Sequence, residues 1–299
     1  MKTIVYQSFR TSDVPRWIDS CMRSVRAWAE TKGFSYRFWD DSFFEFIPRE
    51  LYERAARYKC LMADYARVAA ARKLLSEGWE RAVWVDADVL IFDPENFEID
   101  VTSGYAFCRE VWLRRTVFRQ PQFELKVNNT VGVFCHDERL TSFYLDAARI
   151  ILSGKQDLTP FSIGTELLLG LKRTFDFPLL SSVGILGPEM AYRYLEDEGR
   201  FLRRYLRYQL SRVAAANLCL SGTGQVYRFP GAGRVWKLTD EVAQSIVDRL
   251  TADRGVSLNR WFVGDYTPVP GEFSRPLSAY MALKTTWNDF RSIGRTMRS

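Results

Sequence analysis

At 299 residues, 47% of them hydrophobic and 26% charged, the chain can bury a large core, and wholesale disorder is excluded. No apolar run reaches the roughly 18 residues that would cross a bilayer, and the opening MKTIVYQSF enters a strand pattern without a signal-peptide core, so a cytoplasmic protein is expected. A formal net charge of +6 and a pI of about 9.1 favour acidic partners, and on charge alone nucleic acid, anionic membrane and phosphorylated small molecules all stay open.

In chain order, TIVYQS (3 to 8) reads as a strand. Asp13 and Pro15 open a helix with Ile18, Cys21, Met22, Val25 and Trp28 at helical spacing, and Gly33 stops it. SYRFWD (35 to 40) is a second strand. One long helix is expected from about Glu53 to Glu77, with Leu61, Tyr65, Val68 and Leu75 near one stripe and Gly78 as its stop. Ala82 to Val85 follows as a buried strand. This strand and helix alternation is the signature of an α/β fold with a doubly wound, mostly parallel central sheet flanked by helices. Further strands are expected at YAFCREV (105 to 111) and VGVFCHD (131 to 137), and helices at about 138 to 153, 165 to 173 and, longer and strongly basic, Glu189 to Ala216. The last 80 residues, with SGTGQVYRFPGAGRVWKL (221 to 238), read as a less regular C-terminal elaboration. No repeat or linker is evident, and one domain spanning 1 to 299 is expected. The five cysteines, Cys21, Cys60, Cys108, Cys135 and Cys219, are odd in number and free of CxxC pairs, as expected of small buried hydrophobes in a reducing compartment. The sequon Asn128-Asn129-Thr130 carries no weight without a secretory signal.

The stretch RAVWVDADVLIFDP (81 to 94) sets two carboxylates, Asp86 and Asp88, into an apolar strand pattern. On a straight strand they would share a face with origins roughly 6 to 7 Å apart. Unpaired, each would cost several kcal/mol to desolvate, so a divalent cation, a basic side chain or solvent must compensate. In doubly wound sheets ligands bind beyond the carboxyl ends of the strands, which is where Asp86 and Asp88, and Tyr6 and Gln7 of the first strand, are expected.

Three more segments accompany this pair: Asp64-Tyr65-Ala66-Arg67 on the preceding helix, VNNTVGVF (127 to 134) and IGTELLLG (163 to 170). With Asp86-Ala87-Asp88 they resemble, in kind and order, the retaining families of GT-A glycosyltransferases, which carry a DxD motif and use nucleotide-diphosphate sugars. The resemblance covers roughly the first 170 residues. It implies a GT-A-like catalytic domain with a nucleotide-sugar-binding core at 1 to 175 and an acceptor-side elaboration at 176 to 299. It further implies Mn²⁺ or Mg²⁺ as cofactor, a UDP- or GDP-sugar as donor, and a glycan, lipid-linked or small-molecule acceptor in surface polysaccharide or related synthesis, with no nucleic acid partner. Asp88 is then the metal ligand, with Asp86 addressing the ribose or a metal-bound water. Tyr6, Gln7, Ala87, Asp64, Arg67 and Asn128 contact the donor, while Glu166 and Asn129 act at the reacting carbon. A hard cation is the appropriate Lewis acid for a departing diphosphate, and carboxylate oxygens are its natural ligands. Lys59 could add charge for phosphate.

One departure from the family is the absence of a C-terminal histidine. The only histidine, His136, directly follows a strand and is not assigned to the metal. The basic stretch RFLRRYLRYQLSRV (200 to 213) and the tail RSIGRTMRS fit a solvated face, or a peripheral contact with the inner membrane surface. Two rival readings are a haloacid-dehalogenase-like phosphatase, with Asp86 as nucleophile and Asp88 as acid/base, and a non-enzymatic basic binding protein.

Overall fold

The computed structural model describes residues 1–115, 121–136, 138–154, 157–174, 177–228 and 235–266. Strand β1 (Thr3–Ser8) is buried on both faces up to Gln7, as a central strand must be. Helix α1 (Arg16–Thr31) starts after Pro15, buries Trp17, Ile18, Cys21, Val25, Trp28 and Ala29 on one stripe, and stops before Gly33, whose φ of +68° suits a residue without Cβ. Strand β2 (Ser35–Trp39) follows.

The expected single helix at 53 to 77 is two, α2 (Arg49–Ala55) and α3 (Lys59–Ser76), separated by a turn in which Tyr58 is extended. Packing overrides the local helix propensity here. Leu51 and Ala55 of α2 and Leu61 of α3 enter one core cluster, and the turn lets two short axes serve it. Helix α3 is buried on nearly every side, including Asp64 and Arg67.

Strand β3 (Arg81–Val85) ends one residue before Asp86, and β4 (Val89–Ile91) begins one residue after Asp88. Strands β5 (Tyr105–Arg115) and β6 (Pro121–Cys135) form a long antiparallel pair, more extensive than the short strands expected at 105 to 111 and 131 to 137. Helices α4 (Glu138–Gly154) and α5 (Thr165–Thr174) match expectation. Strands β7 (Leu179–Leu180) and β8 (Val183–Ile185) follow.

The long basic helix expected over 189 to 216 is instead α6 (Pro188–Leu195), α7 (Gly199–Leu206) and strand β9 (Ala215–Asn217). Asp197, with φ of +56°, reverses the chain between the helices, and a Cβ on Gly199 would lie 2.2 Å from the Trp261 ring. The short apolar run before Leu218 is used as a buried strand, an alternative that helical periodicity alone cannot exclude. The C-terminal part is more regular than expected: strands β10 (Val226–Arg228) and β11 (Val235–Lys237) pair, and α8 (Asp240–Ala252) and α9 (Val256–Asn259) follow. The basic tail RSIGRTMRS lies outside the described residues. None of the described helices is long and apolar enough to cross a membrane.

The strands form a six-stranded sheet in the order β2-β1-β3-β6-β5-β7. β1 pairs parallel with β2 and β3, and β5 with β7, while β6 runs antiparallel to both its neighbours. Side chains alternate between two cores. Ile4, Tyr6, Ala82 and Trp84 pack with α3, α4 and α5, whereas Val5, Val83 and Val85 pack with Val25, Trp28 and Ala29 of α1. The protein is therefore an α/β molecule with helices on both faces of a mostly parallel central sheet. A second sheet, β4-β9-β8, lies beyond the carboxyl end of β3.

Candidate active site

Asp86-Ala87-Asp88 is the joint between the two sheets. The Asp86 N–H still donates to the Thr130 carbonyl at 2.8 Å, but the Val89 N–H closes back on the Asp86 carbonyl at 3.1 Å, so the chain turns instead of running straight. The same-face placement expected of a continuous strand therefore does not hold, and the two carboxylates are free to take different partners.

Strand β6 supplies the wall beside this turn through a bulge. Its pairing with β5 jumps from Phe107↔Gly132 to Cys108↔Asn128, leaving Asn129, Thr130 and Val131 out of that ladder. A bulge re-aims side chains, and here two of the three reach the acids. Thr130 Oγ1 donates to Asp86 Oδ2 at 3.2 Å, and Asn129 Nδ2 donates to Asp64 Oδ1 at 3.0 Å.

Between those acids lies Arg67. Its guanidinium is 3.3 Å from Asp64 Oδ1 and 3.2 Å from Asp86 Oδ1, donates to the Asn129 carbonyl at 2.9 Å, and sits 5.0 Å from the Trp84 ring centroid. Burial opposes the Arg67 charge, but Asp86 and Asp64 more than offset it and hold its pKa above the ordinary value. Burial pushes the Asp64 carboxyl up to about 6, against the pull of Arg67 and the Asn129 hydrogen bond. Asp86 is also raised by burial, with Arg67 and the Trp84 and Thr130 hydrogen bonds opposing. The Trp84 indole N–H donates to Asp86 Oδ1 at 2.7 Å, so three groups already hold this carboxylate.

Asp88 is the less neutralised member of the pair. Its Oδ2 accepts the Leu220 N–H at 2.7 Å and its carbonyl accepts the Leu218 N–H at 3.0 Å, which fastens it to the chain leaving β9. Burial first, and the charge of Asp86 second, push its carboxyl up to about 6. With Asp64, Asp86 and Asp88 grouped around Arg67, the acids outnumber the buried cation, and a positive ligand would relieve the excess.

A cleft of about 460 Å³ opens over the turn. Asp86, Ala87, Asp88 and Arg67 form its floor, with Ser8 and Phe9 from the end of β1 and Leu220 beside them. Phe43, Phe44 and Trp84 make an aromatic side, in which Phe43 and Trp84 stack at 5.2 Å. Arg10 and Lys59 bring further positive charge to its lining.

No family model matches the sequence, and no curated protein matches it. Among solved structures, one similar chain is a glycosyltransferase involved in the glycosylation of the major capsid of PBCV-1, with 12% identity, 82% of this chain and 98% of that chain covered, and a TM-score of 0.43. Another is mouse xyloside xylosyltransferase 1 in its apo form, with 11% identity, 73% of this chain and 97% of that chain covered, and a TM-score of 0.40. Both are glycosyltransferases.

Of the residues singled out in the sequence, Arg67, Asp86, Ala87, Asp88 and Lys59 line the cleft. Asp64 and Asn129 are buried behind Arg67. Tyr6 and Gln7, expected to touch the donor, are fully buried and brace the site from beneath. The Tyr6 hydroxyl donates to the Arg67 carbonyl at 2.6 Å, and Gln7 Nε2 donates to the Asp86 carbonyl at 3.2 Å. Both lie on β1 as expected, but a central strand buries both faces. Asn128 donates from Nδ2 to Glu110 at 2.7 Å, and its Oδ1 accepts the Thr130 N–H at 3.2 Å. Glu166 is half-buried at the start of α5, with Thr159 Oγ1 at 3.3 Å. Two residues before it, Gly164 abuts Asp64 so closely that a Cβ would fall 2.3 Å from Oδ2. His136 follows β6 at the end that pairs with Arg81, opposite the Asp86 end of β3.

Sequence reasoning missed Trp84, Thr130, Glu110 and Asn217. Glu110 is a fully buried carboxylate that accepts from Asn128, Trp112 at 3.0 Å and Asn217 at 3.3 Å, and burial pushes it up to about 7. An acid in the apolar strand YAFCREV was a readable signal of the same kind as Asp86. Asn217 carried none, because its partners are 87 and 107 residues away.

Proposed function

We propose that the protein transfers a sugar from a nucleoside-diphosphate sugar to an acceptor hydroxyl. The observation that carries this reading is the Asp86-Ala87-Asp88 turn, set at the carboxyl ends of parallel β1 and β3 and opening into a cleft with an aromatic side and basic lining residues. Phe43, Phe44 and Trp84 suit a flat base, and Arg10, Lys59 and Arg67 suit a diphosphate. The donor set fits Mg²⁺ or Mn²⁺: it is oxygen-only, and an ion would neutralise the acids that burial leaves in excess. Asp88 would be the principal ligand, since the Asp86 oxygens are already occupied by Trp84, Arg67 and Thr130. Among the described residues no group of three or more His, Cys, Asp or Glu side chains is arranged as a metal cage, so phosphate or water oxygens would complete the shell. When bound, the ion would stabilise charge on the departing diphosphate.

The chain's own residues then have separate tasks. Arg67 holds Asp86 and the diphosphate, Asn129 holds Asp64 in place behind Arg67, and Glu166, on the helix whose preceding Gly164 abuts Asp64, is the carboxylate proposed to act on the sugar. Transfer is proposed to retain configuration. The bond from the anomeric carbon to the diphosphate breaks, the acceptor oxygen bonds on the same face, and a diphosphate oxygen takes the acceptor proton. The phosphatase reading is disfavoured because Asp86 would have to shed three hydrogen-bonding partners to attack phosphorus.

A thermal-shift panel of UDP, GDP, dTDP and CMP, with and without Mn²⁺, tests the proposal. Stabilisation by one nucleoside diphosphate only in the presence of metal, abolished in Asp88→Asn, is expected. Equal response to all nucleotides, or none, would overturn it.

A further inference from the structure

We infer that Asn217 is a positioning residue that holds both carboxylates of the Asp86-Ala87-Asp88 turn at once. The proposal deepens the glycosyl-transfer reading, in that it explains how the reactive turn is kept in one geometry. Asn217 is the last residue of β9. It lies opposite Val89, the residue after Asp88, and beside Ile185 of β8. Its side chain is only 6% exposed and makes three hydrogen bonds.

Its amide nitrogen makes two of these, one of which leads on to Asp86. Asn217 Nδ2 donates to Thr130 Oγ1 at 2.8 Å and to Glu110 Oε1 at 3.3 Å. A hydroxyl has a single proton, so a Thr130 oxygen that accepts from Asn217 is left to spend that proton on Asp86 Oδ2, 3.2 Å away. The relay has one direction, amide to hydroxyl to carboxylate, and each link polarises the next. Glu110 fixes the other amide proton, which prevents the amide from turning over.

The third bond leads to Asp88. Asn217 Oδ1 accepts the Cys219 N–H at 2.9 Å. Because a backbone N–H can only donate, the atom facing it must be the amide oxygen, and the orientation of the side chain follows. This local loop holds Cys219 at φ +55° and ψ +63°, a left-handed conformation that is strained for a residue with a Cβ. The reversal at Cys219 aims the next N–H, that of Leu220, at Asp88 Oδ2 at 2.7 Å. One buried amide therefore governs Asp86 through its nitrogen and Asp88 through its oxygen. The second sheet takes part in the site because β9 must be in register for both bonds to form.

The experiment follows two protons by NMR in the full chain, without metal or substrate: the Leu220 amide, which reports on the bond to Asp88, and the Trp84 indole N–H, which reports on Asp86. In Asn217→Ala the Leu220 amide should lose about tenfold in hydrogen-exchange protection and the Trp84 indole signal should shift, since both bonds lose the geometry that the amide holds. Thr130→Val should move the Trp84 signal alone. Asn217→Ser, whose hydroxyl can accept the Cys219 N–H, should restore the Leu220 protection and leave the Trp84 signal displaced, and it serves if the alanine variant fails to fold. Two unchanged signals in a folded Asn217→Ala protein would overturn the proposal, as would a change in one only. A parallel Mn²⁺ titration followed by thermal shift should show about a tenfold rise in the half-saturating metal concentration for Asn217→Ala. Wild-type protein indifferent to Mn²⁺ would sink the proposed function, while the two NMR signals would still decide the role of Asn217.

Discussion

Arg67 is the cation on which the acidic floor of the cleft depends, because it is buried and touches Asp64 and Asp86 together. Its spacing from Asp64 suggests an exposed i,i+3 pair contributing a few tenths of a kcal/mol, but burial changes the stakes. Arg67→Met should destabilise by about 3–5 kcal/mol at pH 7.5 in urea unfolding. The deficit should shrink toward pH 5, because Asp64 and Asp86 without their counter-ion escape the penalty by taking up protons. Asp88→Asn should act in the opposite sense. The Asp88 carboxyl is raised from its ordinary 3.8 to about 6 in the folded state, so its charge is a burden that is fully present above pH 6 and gone below pH 4. The ligand-free variant should therefore be more stable than wild type at pH 7 by about 1–3 kcal/mol, with the curves converging below pH 4. Equal stability at pH 7 would mean that the carboxylate is better solvated than its position implies.

Helices and strands deliver these residues to one place by abandoning regularity. The bulge in β6 turns Asn129 and Thr130 toward Asp64 and Asp86, and the turn after β3 splits Asp86 from Asp88. The start of α5 comes close enough to brush Asp64 only because residue 164 lacks a Cβ. Gly164→Ala should push Asp64 off Arg67 or lift the α5 start, costing about 1–3 kcal/mol and the nucleotide-dependent thermal shift together. Wild-type behaviour in both readouts would show that the loop yields without disturbing the acid. The division of 53 to 77 into α2 and α3, and of 189 to 216 into two helices and a strand, has a common origin. Helix propensity is worth tenths of a kcal/mol per residue, while burying an apolar side chain yields about 1.5–3 kcal/mol, so packing sets where such segments bend.

The two sheets and the flanking helices are tied across long separations. The Trp17 indole N–H donates to Asp240 at 2.8 Å, joining α1 to α8, and Asn217 joins β9 to Glu110 and Thr130. We propose on this basis that the chain is one folding unit with its N-terminal and C-terminal halves interdependent. Guanidinium unfolding followed by far-ultraviolet circular dichroism and by tryptophan fluorescence should give coincident midpoints, and a stabilising nucleotide should move both equally. Separate midpoints would divide the chain into independent domains.

The alternation of strand and helix over the first hundred residues and the two acids Asp86 and Asp88 in an apolar strand could be read from local patterns, because β-branched runs, helix stops and acids in apolar strands are short-range signals, whereas Asp64 and Arg67 were joined to them by the family resemblance. Their burial could not, nor could the bracing roles of Tyr6 and Gln7. The partnership of Asn217 with Glu110 and Thr130 was equally hidden. Those depend on which chain segments meet after folding, and a hydrogen bond between residues about a hundred positions apart leaves no periodicity behind. Local chemistry thus marked where charge would gather, and three-dimensional packing chose the partner of each charge.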